Sequence, residues 1–371
     1  MQLGFDISSL TPARTGVGNY VFELGCALLR IDSEFELHGY ATGRRAVDVS
    51  GMSHPMAYRQ VHIPTSVLYK CWRYFRHPSV EFLLGRDLDV VHGTNFYLPE
   101  TRRAKRIISV HDISFEVHPE WVNQRVVSPY ASQIEEFCDE ADGIITFSEF
   151  TKAEMVSHYE TEPDKIHVTP HGIRSDWCRF GDEAAKARVA ELGIQGAYVL
   201  YVGTIEERKN IRRMLEAFAL LENYPHRLVL VGNEGWMSTS LTQLIEDLKL
   251  SDRVLLPGYI PHEDLSALYK AADAFVFPSL YEGFGFPVLE AFACGCPVIT
   301  SNTTSLPEVG GDVVEYVDPM EVLDIARGIE AVIGDTDYAR DLGRRGHERM
   351  RLFDWSETAR ETVDVYRSVL A

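Results

Sequence analysis

Cations are scarce in this sequence: 36 lysines and arginines stand against 55 aspartates and glutamates, a formal net charge of −19. A general nucleic-acid binder neutralises phosphates with a basic face, so that class is excluded, and any anionic ligand has to be met by a local cluster of cations. Long hydrophobic runs are missing too. No apolar stretch approaches the roughly 18 residues of a transmembrane helix, and no apolar core follows the polar-punctuated start, residues 1–10, as it would in a secretory signal. The six cysteines, two of them in Cys294-Gly295-Cys296, lack the spacing of a secreted disulfide scaffold. The expectation is a reduced, cytoplasmic setting. Internal repeats and low-complexity segments are absent as well, which excludes solenoids and disordered tails.

What remains is a chain of 371 residues, 45% of them hydrophobic, enough for a sizeable core. Single cores stop growing at about 250–300 residues, so two domains are expected. Short apolar runs alternate with amphipathic stretches, the pattern of a parallel sheet covered by helices. A first series places strands at residues 2–7, 35–40, 89–92, 106–110, 143–147 and 165–169, with helices such as 17–29 and 125–140. A second series restarts at 197–202 and continues through 227–231, 254–256, 274–277, 297–300 and 313–317. Residues 171–191, polar and irregular at first, read as the linker. Two doubly wound α/β domains in tandem would set their strand C-termini, where such sheets bind ligands, facing one central cleft.

The chemistry is densest at Glu282-Gly283-Phe284-Gly285-Phe286-Pro287-Val288-Leu289-Glu290-Ala291. Two glycines allow a ligand close to the backbone, and Pro287 suits a first helical turn, where its missing N–H leaves nothing unsatisfied. Helix N-terminal N–H groups take oxygen-rich ligands, while the flanking Glu282 and Glu290 accept hydrogen bonds from hydroxyls. A polyol carrying an anion, as in a nucleotide sugar, fits both. The cation cluster this requires is Arg208-Lys209-Asn210, after the strand 197–202 and before a helix at 211–221, with Arg212 and Arg213 following. Cations at a helix N-terminus oppose its dipole, and a bound diphosphate would remove that conflict. The alternative is a solvated surface on which Glu206 and Glu207 pair with them.

Tyr198-Val-Leu-Tyr-Val-Gly-Thr-Ile-Glu-Glu-Arg-Lys-Asn-Ile, Leu228-Val-Leu-Val-Gly, Pro278-Ser-Leu-Tyr-Glu-Gly-Phe-Gly-Phe-Pro-Val-Leu-Glu-Ala and Ser305-Leu-Pro-Glu together resemble the retaining glycosyltransferases of family four, in their mannosyltransferase-type branch. The pieces are weak singly; their order and spacing are specific. The resemblance implies the GT-B fold. Its Rossmann-like acceptor-binding domain would span 1–172, its nucleotide-sugar-binding domain 173–353, and a final helix, 354–371, would return to the first domain. It implies that Glu282 holds donor-sugar hydroxyls and Glu290 the ribose, that the backbone of Phe284, Gly285 and Phe286 completes the cradle, and that Arg208 and Lys209 clamp the diphosphate. Many relatives place an arginine directly after the glycine that ends this strand. Here Thr204 follows Gly203 and is counted with the donor-binding residues, so the clamp rests on Arg208 and Lys209.

In the first domain the resemblance implies that Gly16 and Gly18, between the first strand and its helix, bring N–H groups to the donor phosphate. It also implies that His111, at a strand end, orients or polarises sugar and acceptor in a front-face reaction with retention. An ordinary strand-to-helix loop and a structural histidine are the alternatives. Asp87-Leu88-Asp89 and Asp335-Thr336-Asp337 match a short two-aspartate metal pattern that arises often by chance, so no metal and no other cofactor is expected. Cys294 and Cys296 read as buried small residues, and His171-Gly172 as a turn or as cleft lining. Residues 67–86 mix bases with aromatics and read either as a partly exposed helix or as a peripheral contact with the inner face of a membrane. The resulting expectation is a cytoplasmic retaining transferase of polysaccharide biosynthesis. It would move a hexosyl unit, mannose from GDP-mannose, onto a glycan or lipid-linked saccharide, through acceptor loops such as 42–55 and 95–102. A UDP-sugar donor, a non-catalytic nucleotide- or glycan-binding module and a sugar-nucleotide epimerase remain alternatives.

Overall fold

The computed structural model describes every residue except 13, 32–34, 53–55, 122–130, 233–237 and 259. Residues 125–130 of the expected helix 125–140 and 53–55 of the loop 42–55 lie outside the described residues, and the described part of that helix is Ile134–Glu140. The chain forms two units, Met1–Gly172 with Asp354–Ala371, and Ile173–Phe353.

Among the described residues the first unit has seven strands: β1 (Gln2–Asp6), β2 (Glu36–Thr42), β3 (Ala57–Val61), β4 (Val90–Gly93), β5 (Lys105–Ser109), β6 (Gly143–Thr146) and β7 (Ile166–Val168). They are parallel, in the order β3-β2-β1-β4-β5-β6-β7. Central strands such as β4 and β6 are buried along their whole length, as a sheet covered on both faces requires. β3 is the strand that sequence reading misses. At the sheet edge most of it is exposed, so Ala-Tyr-Arg-Gln-Val carries no apolar run to announce it. The helix Gly16–Arg30 starts at the cap Thr15, whose hydroxyl accepts from the Gly18 N–H, and buries Tyr20, Val21, Leu24 and Leu28. Asp354 caps the helix Trp355–Ser368, which packs on it. Gly172 is required where the chain leaves this unit, since a Cβ there would sit 2.3 Å from the Trp355 nitrogen.

The second unit has six parallel strands among the described residues: β8 (Tyr198–Val202), β9 (Arg227–Val231), β10 (Val254–Gly258), β11 (Ala274–Phe277), β12 (Val298–Ser301) and β13 (Glu315–Val317). Their order is β10-β9-β8-β11-β12-β13. In both sheets the winding reverses, between β1 and β4 and between β8 and β11, and ligands bind beyond the carboxyl ends at such points. The expected linker 171–191 divides differently. His171 is a buried side chain of the first unit, stacked on Phe147 at 4.0 Å between ring centroids, where a turn or cleft lining was expected. Asp182–Glu191 is a helix of the second unit, tied to the helix His262–Ala271 by Arg188 and Asp264 at 2.8 Å.

Candidate active site

Beyond β8 the chain passes Gly203 and the exposed Thr204, makes a short 3-10 turn at Glu207–Lys209 and enters the helix Ile211–Ala219 through Asn210 at φ 61°. The Asn210 side chain fixes this turn by donating to the carbonyls of Pro278 (3.0 Å) and Pro319 (2.6 Å). The Leu280 N–H donates to the Arg208 carbonyl at 2.8 Å, binding the loop after β11 to the loop after β8. The two expected cations and the first expected carboxylate therefore meet. Lys209 Nζ lies 2.5 Å from Glu282 Oε1, and Arg208 Nη1 lies 3.1 Å from Oε2. Arg208 also holds Glu206 at 2.7 Å and the Tyr281 carbonyl at 3.2 Å, while Glu207 stays exposed. Glu206 thus pairs with Arg208 as in the surface alternative, while Glu282, which takes both cations, lies 74 residues along the chain from Arg208.

Lys209 and Glu282 are both buried. Burial alone would push the Glu282 carboxyl up, but Lys209 and Arg208 outweigh it and hold the group ionised, below its usual range. Burial pushes the Lys209 ammonium down, with Arg208 adding to this and Glu282 offsetting part. The turn that follows is set by Gly285 at φ +113°, a conformation and a position only glycine allows, since a Cβ would sit 2.8 Å from Leu306. Gly285 caps the helix Phe286–Ala293 with Pro287 in its first turn. Ser305 Oγ donates to the carbonyls of Glu282 and Phe284, at 2.8 and 3.0 Å, and so fixes the cradle backbone. Glu290 is buried one turn into the helix, accepts from the Tyr269 hydroxyl at 2.9 Å and is pushed up to about 7 by burial. Ser305 and Asn210 stood inside the quoted motifs without a role. Nothing in the sequence singled out Tyr269, an aromatic on the buried face of its helix.

In the first unit His111 follows β5. Its Nε2 lies 3.0 Å from the Thr94 carbonyl, which can only accept, so Nε2 carries the hydrogen and Nδ1 keeps its lone pair. Tyr20, Phe96 and Phe147 pack around the ring, and burial brings its pKa down to about 4. Near neutral pH this histidine is uncharged; it can orient a sugar hydroxyl by accepting from it but offers no positive charge. Behind it runs a buried chain of hydrogen bonds, Tyr20 to Ser109 (2.9 Å), Ser109 to His92 (2.8 Å) and His92 to Tyr366 (2.8 Å). Gly18 is fixed by packing, since a Cβ would lie 2.8 Å from the Ser9 carbonyl, whereas a Cβ on Gly16 would meet open space.

The other motifs have structural tasks. Asp89 accepts from the Gln2 N–H at 2.6 Å at the start of β1, and Asp87 pairs with Arg102. Asp335 caps the helix Thr336–Arg349, in which Asp337 pairs with Arg340. Cys294 and Cys296 are buried. In the 67–86 segment the helix Thr65–Phe75 buries Leu68 and Trp72 and leaves Tyr74 and Phe75 70% and 76% exposed. Among the described residues no helix is long and apolar enough to cross a membrane.

Comparison with known proteins matches the family described as Glycosyltransferase Family 4 over residues 14–177 and Glycosyl transferases group 1 over 186–349. The O-antigen chain mannosyltransferase B of Escherichia coli is 34% identical over 384 residues, covering 99% of this chain and 100% of that protein. The chain belongs to glycosyltransferase family 4. The serotype-specific mannosyltransferase WbdA of Escherichia coli is 30% identical over 65% of this chain, though that stretch is 30% of WbdA. Among solved structures, the sucrose-phosphate synthase of Thermosynechococcus elongatus aligns with TM-score 0.80 and 23% identity, over 99% of this chain and 98% of that one. WaaG, a glycosyltransferase involved in lipopolysaccharide biosynthesis, aligns with TM-score 0.75 and 17% identity, over 98% and 99%. At these identities the likeness carries the fold, which is GT-B. This glycosyltransferase is an enzyme of the hexosyl-transferring kind, of the mannosyltransferase-type branch.

Proposed function

We propose that this glycosyltransferase is a retaining mannosyltransferase that takes mannose from GDP-mannose and adds it to a growing glycan or lipid-linked saccharide. The observation that carries this is the end-to-end likeness to the O-antigen chain mannosyltransferase B, joined to the convergence of Glu282, Lys209 and Arg208. The second unit holds the donor: Glu282 and the Phe284–Phe286 backbone take the sugar, Glu290 the ribose, and Lys209 with Arg208 the diphosphate, beside Thr204. The bond from the anomeric carbon to phosphate breaks with its electron pair on the phosphate oxygen. The acceptor oxygen bonds to the same face of that carbon, and its proton passes to the departing phosphate. Lys209 and Arg208 stabilise the charge that grows on the leaving group, so no metal is required.

The enzyme works in the cytoplasm, against the inner face of a membrane through residues 67–86. Tyr74 and Phe75 supply exposed aromatic surface, and Lys70 and Arg73 supply charge, whereas Arg76 is paired with Glu140. The deciding experiment is a thermal-shift panel of nucleoside diphosphates, followed by mass spectrometry of products made with the matching sugar donor. GDP is expected to give the largest shift and GDP-mannose the only transfer; a shift from UDP with none from GDP would overturn the donor assignment.

A further inference from the structure

The carboxyl ends of β1, β2 and β4 border a cavity of about 790 Å³ within the first unit. One wall is a row of hydroxyls. Ser8 Oγ donates to Asp6 Oδ1 at 2.5 Å and lies 3.3 Å from Thr42 Oγ1, which lies 3.4 Å from Thr65 Oγ1. Asn95 and Tyr69 line the same cavity, and the Tyr69 ring is held flat against Tyr97 at 3.5 Å between centroids. Because Asp6 takes the one hydrogen of Ser8, that hydroxyl cannot donate to a ligand. Ser8 Oγ also accepts the Thr42 N–H at 2.9 Å, so the wall meets a ligand through the hydroxyls of Thr42 and Thr65 beside an aromatic surface, which suits the hydroxyls of a sugar.

A neutral sugar leaves the rim unexplained. Arg44 and Arg45 line the cavity and are exposed, and among the described residues neither guanidinium has a hydrogen-bond or ion-pair partner. Two adjacent uncompensated arginines on a chain of net charge −19 are set for an anion, and guanidinium groups match phosphate oxygens in charge and in geometry. Burial raises the Asp6 carboxyl to about 6, so near pH 7 it carries charge behind Ser8 and disfavours an anion at the hydroxyl wall; the two chemistries therefore belong to different ends of one ligand.

We infer that this cavity takes the acceptor as a saccharide bearing a phosphate ester, with its hydroxyls along Thr42, Thr65 and Asn95 and its phosphate on Arg44 and Arg45. This rests on the reading of the first unit as acceptor-binding. The test is calorimetric titration of the full chain with mannose 1-phosphate, methyl α-mannoside or inorganic phosphate, with GDP saturating so that the diphosphate clamp is filled. Mannose 1-phosphate is expected to bind about tenfold more tightly than either other probe, the gain of one charge-assisted contact. The double variant Arg44→Gln, Arg45→Gln should bring it to within about twofold of methyl α-mannoside, leaving that probe and GDP unchanged. Thr65→Val should weaken both sugar probes and leave inorganic phosphate unchanged.

Equal binding of mannose 1-phosphate and methyl α-mannoside by the unaltered protein would overturn the anion half of the inference. Inorganic phosphate binding as tightly as mannose 1-phosphate would overturn the saccharide half. Weaker GDP binding in the double variant would move the arginines to the donor. A failure of GDP to bind at all overturns the donor reading alone, since the arginine-dependent preference for mannose 1-phosphate is measured equally well without nucleotide.

Discussion

Glu290 and Glu282 are both buried carboxylates, and their surroundings send them in opposite directions. Glu290 has one neutral partner, so burial raises it from 4.5 to about 7. Between those pH values the folded protein holds a proton that the unfolded chain has released. The stability tied to this group is therefore full below pH 4.5 and is lost as pH rises through about 7. Glu290→Gln, which buries no charge, is expected to melt a few degrees above the unaltered protein at pH 8 and level with it at pH 4, by scanning calorimetry. If Glu290 holds the ribose as proposed, the same variant should weaken GDP, the lost hydrogen bond being worth about 1.5–3 kcal/mol where the carboxylate is ionised. A variant no more stable at pH 8 would show that Glu290 is already comfortably ionised. For Glu282 the cations win. Glu282→Gln is expected to keep GDP binding while losing most transfer, and Lys209→Ala to lose about 3–5 kcal/mol of stability as well as turnover, because a buried ion pair loses one member. Denaturant titration beside product counting separates the two; a Lys209→Ala enzyme with unchanged stability and rate would leave the pair without a role. The glycine turn between them marked both glutamates in the sequence, and the structure buries both. Their opposite ionisation was not legible there, since it depends on the burial of Glu290 and, for Glu282, on cations more than 70 residues away.

The elements divide in the same way between what a local pattern reveals and what only packing decides. Buried strands such as β6 and β11 announce themselves as short apolar runs because both sheet faces are covered. The edge strand β3 is joined to the sheet by backbone pairing with β2 alone, so its side chains carry no signal. The helix Trp355–Ser368 was expected from the family resemblance; its polar tie to the sheet was not. Tyr366 bonds buried His92, and burial brings that imidazole down to about 3, so it is neutral and needs a partner on each nitrogen. Tyr366→Phe strands Nδ1 in an apolar setting and is expected to cost about 1–3 kcal/mol in denaturant unfolding. The Tyr20 end of the chain packs on His111 with ring centroids 5.3 Å apart, so a small loss of turnover should accompany it. An unchanged unfolding midpoint would mean that the network contributes no stability.

For the whole molecule the question is how an acidic protein handles an anionic donor. The chain carries a formal charge of −19, and its donor cluster carries no surplus either, since Arg208 and Lys209 stand against Glu206 and Glu282. A diphosphate therefore cannot rely on net positive charge at that spot. On the proposed roles it draws on Lys209 and Arg208 as directed N–H donors. It can also draw on the helices that open at Ile211 and Phe286, whose first-turn N–H groups carry partial positive charge. A divalent ion would be the other source of charge. Among the described residues no three histidine, cysteine or acidic side chains are grouped to hold one, and Asp87 and Asp89 have other partners. The expected outcome is that enzyme treated with a strong chelator keeps its initial rate of transfer, and that Asp87→Asn does so too. Loss of activity on chelation, restored by magnesium or manganese, would show that the neutral cluster is insufficient and that the metal arrives with the donor. In that case Lys209→Ala should be partly rescued by raising the metal concentration, because both would then supply the same charge to the same leaving group.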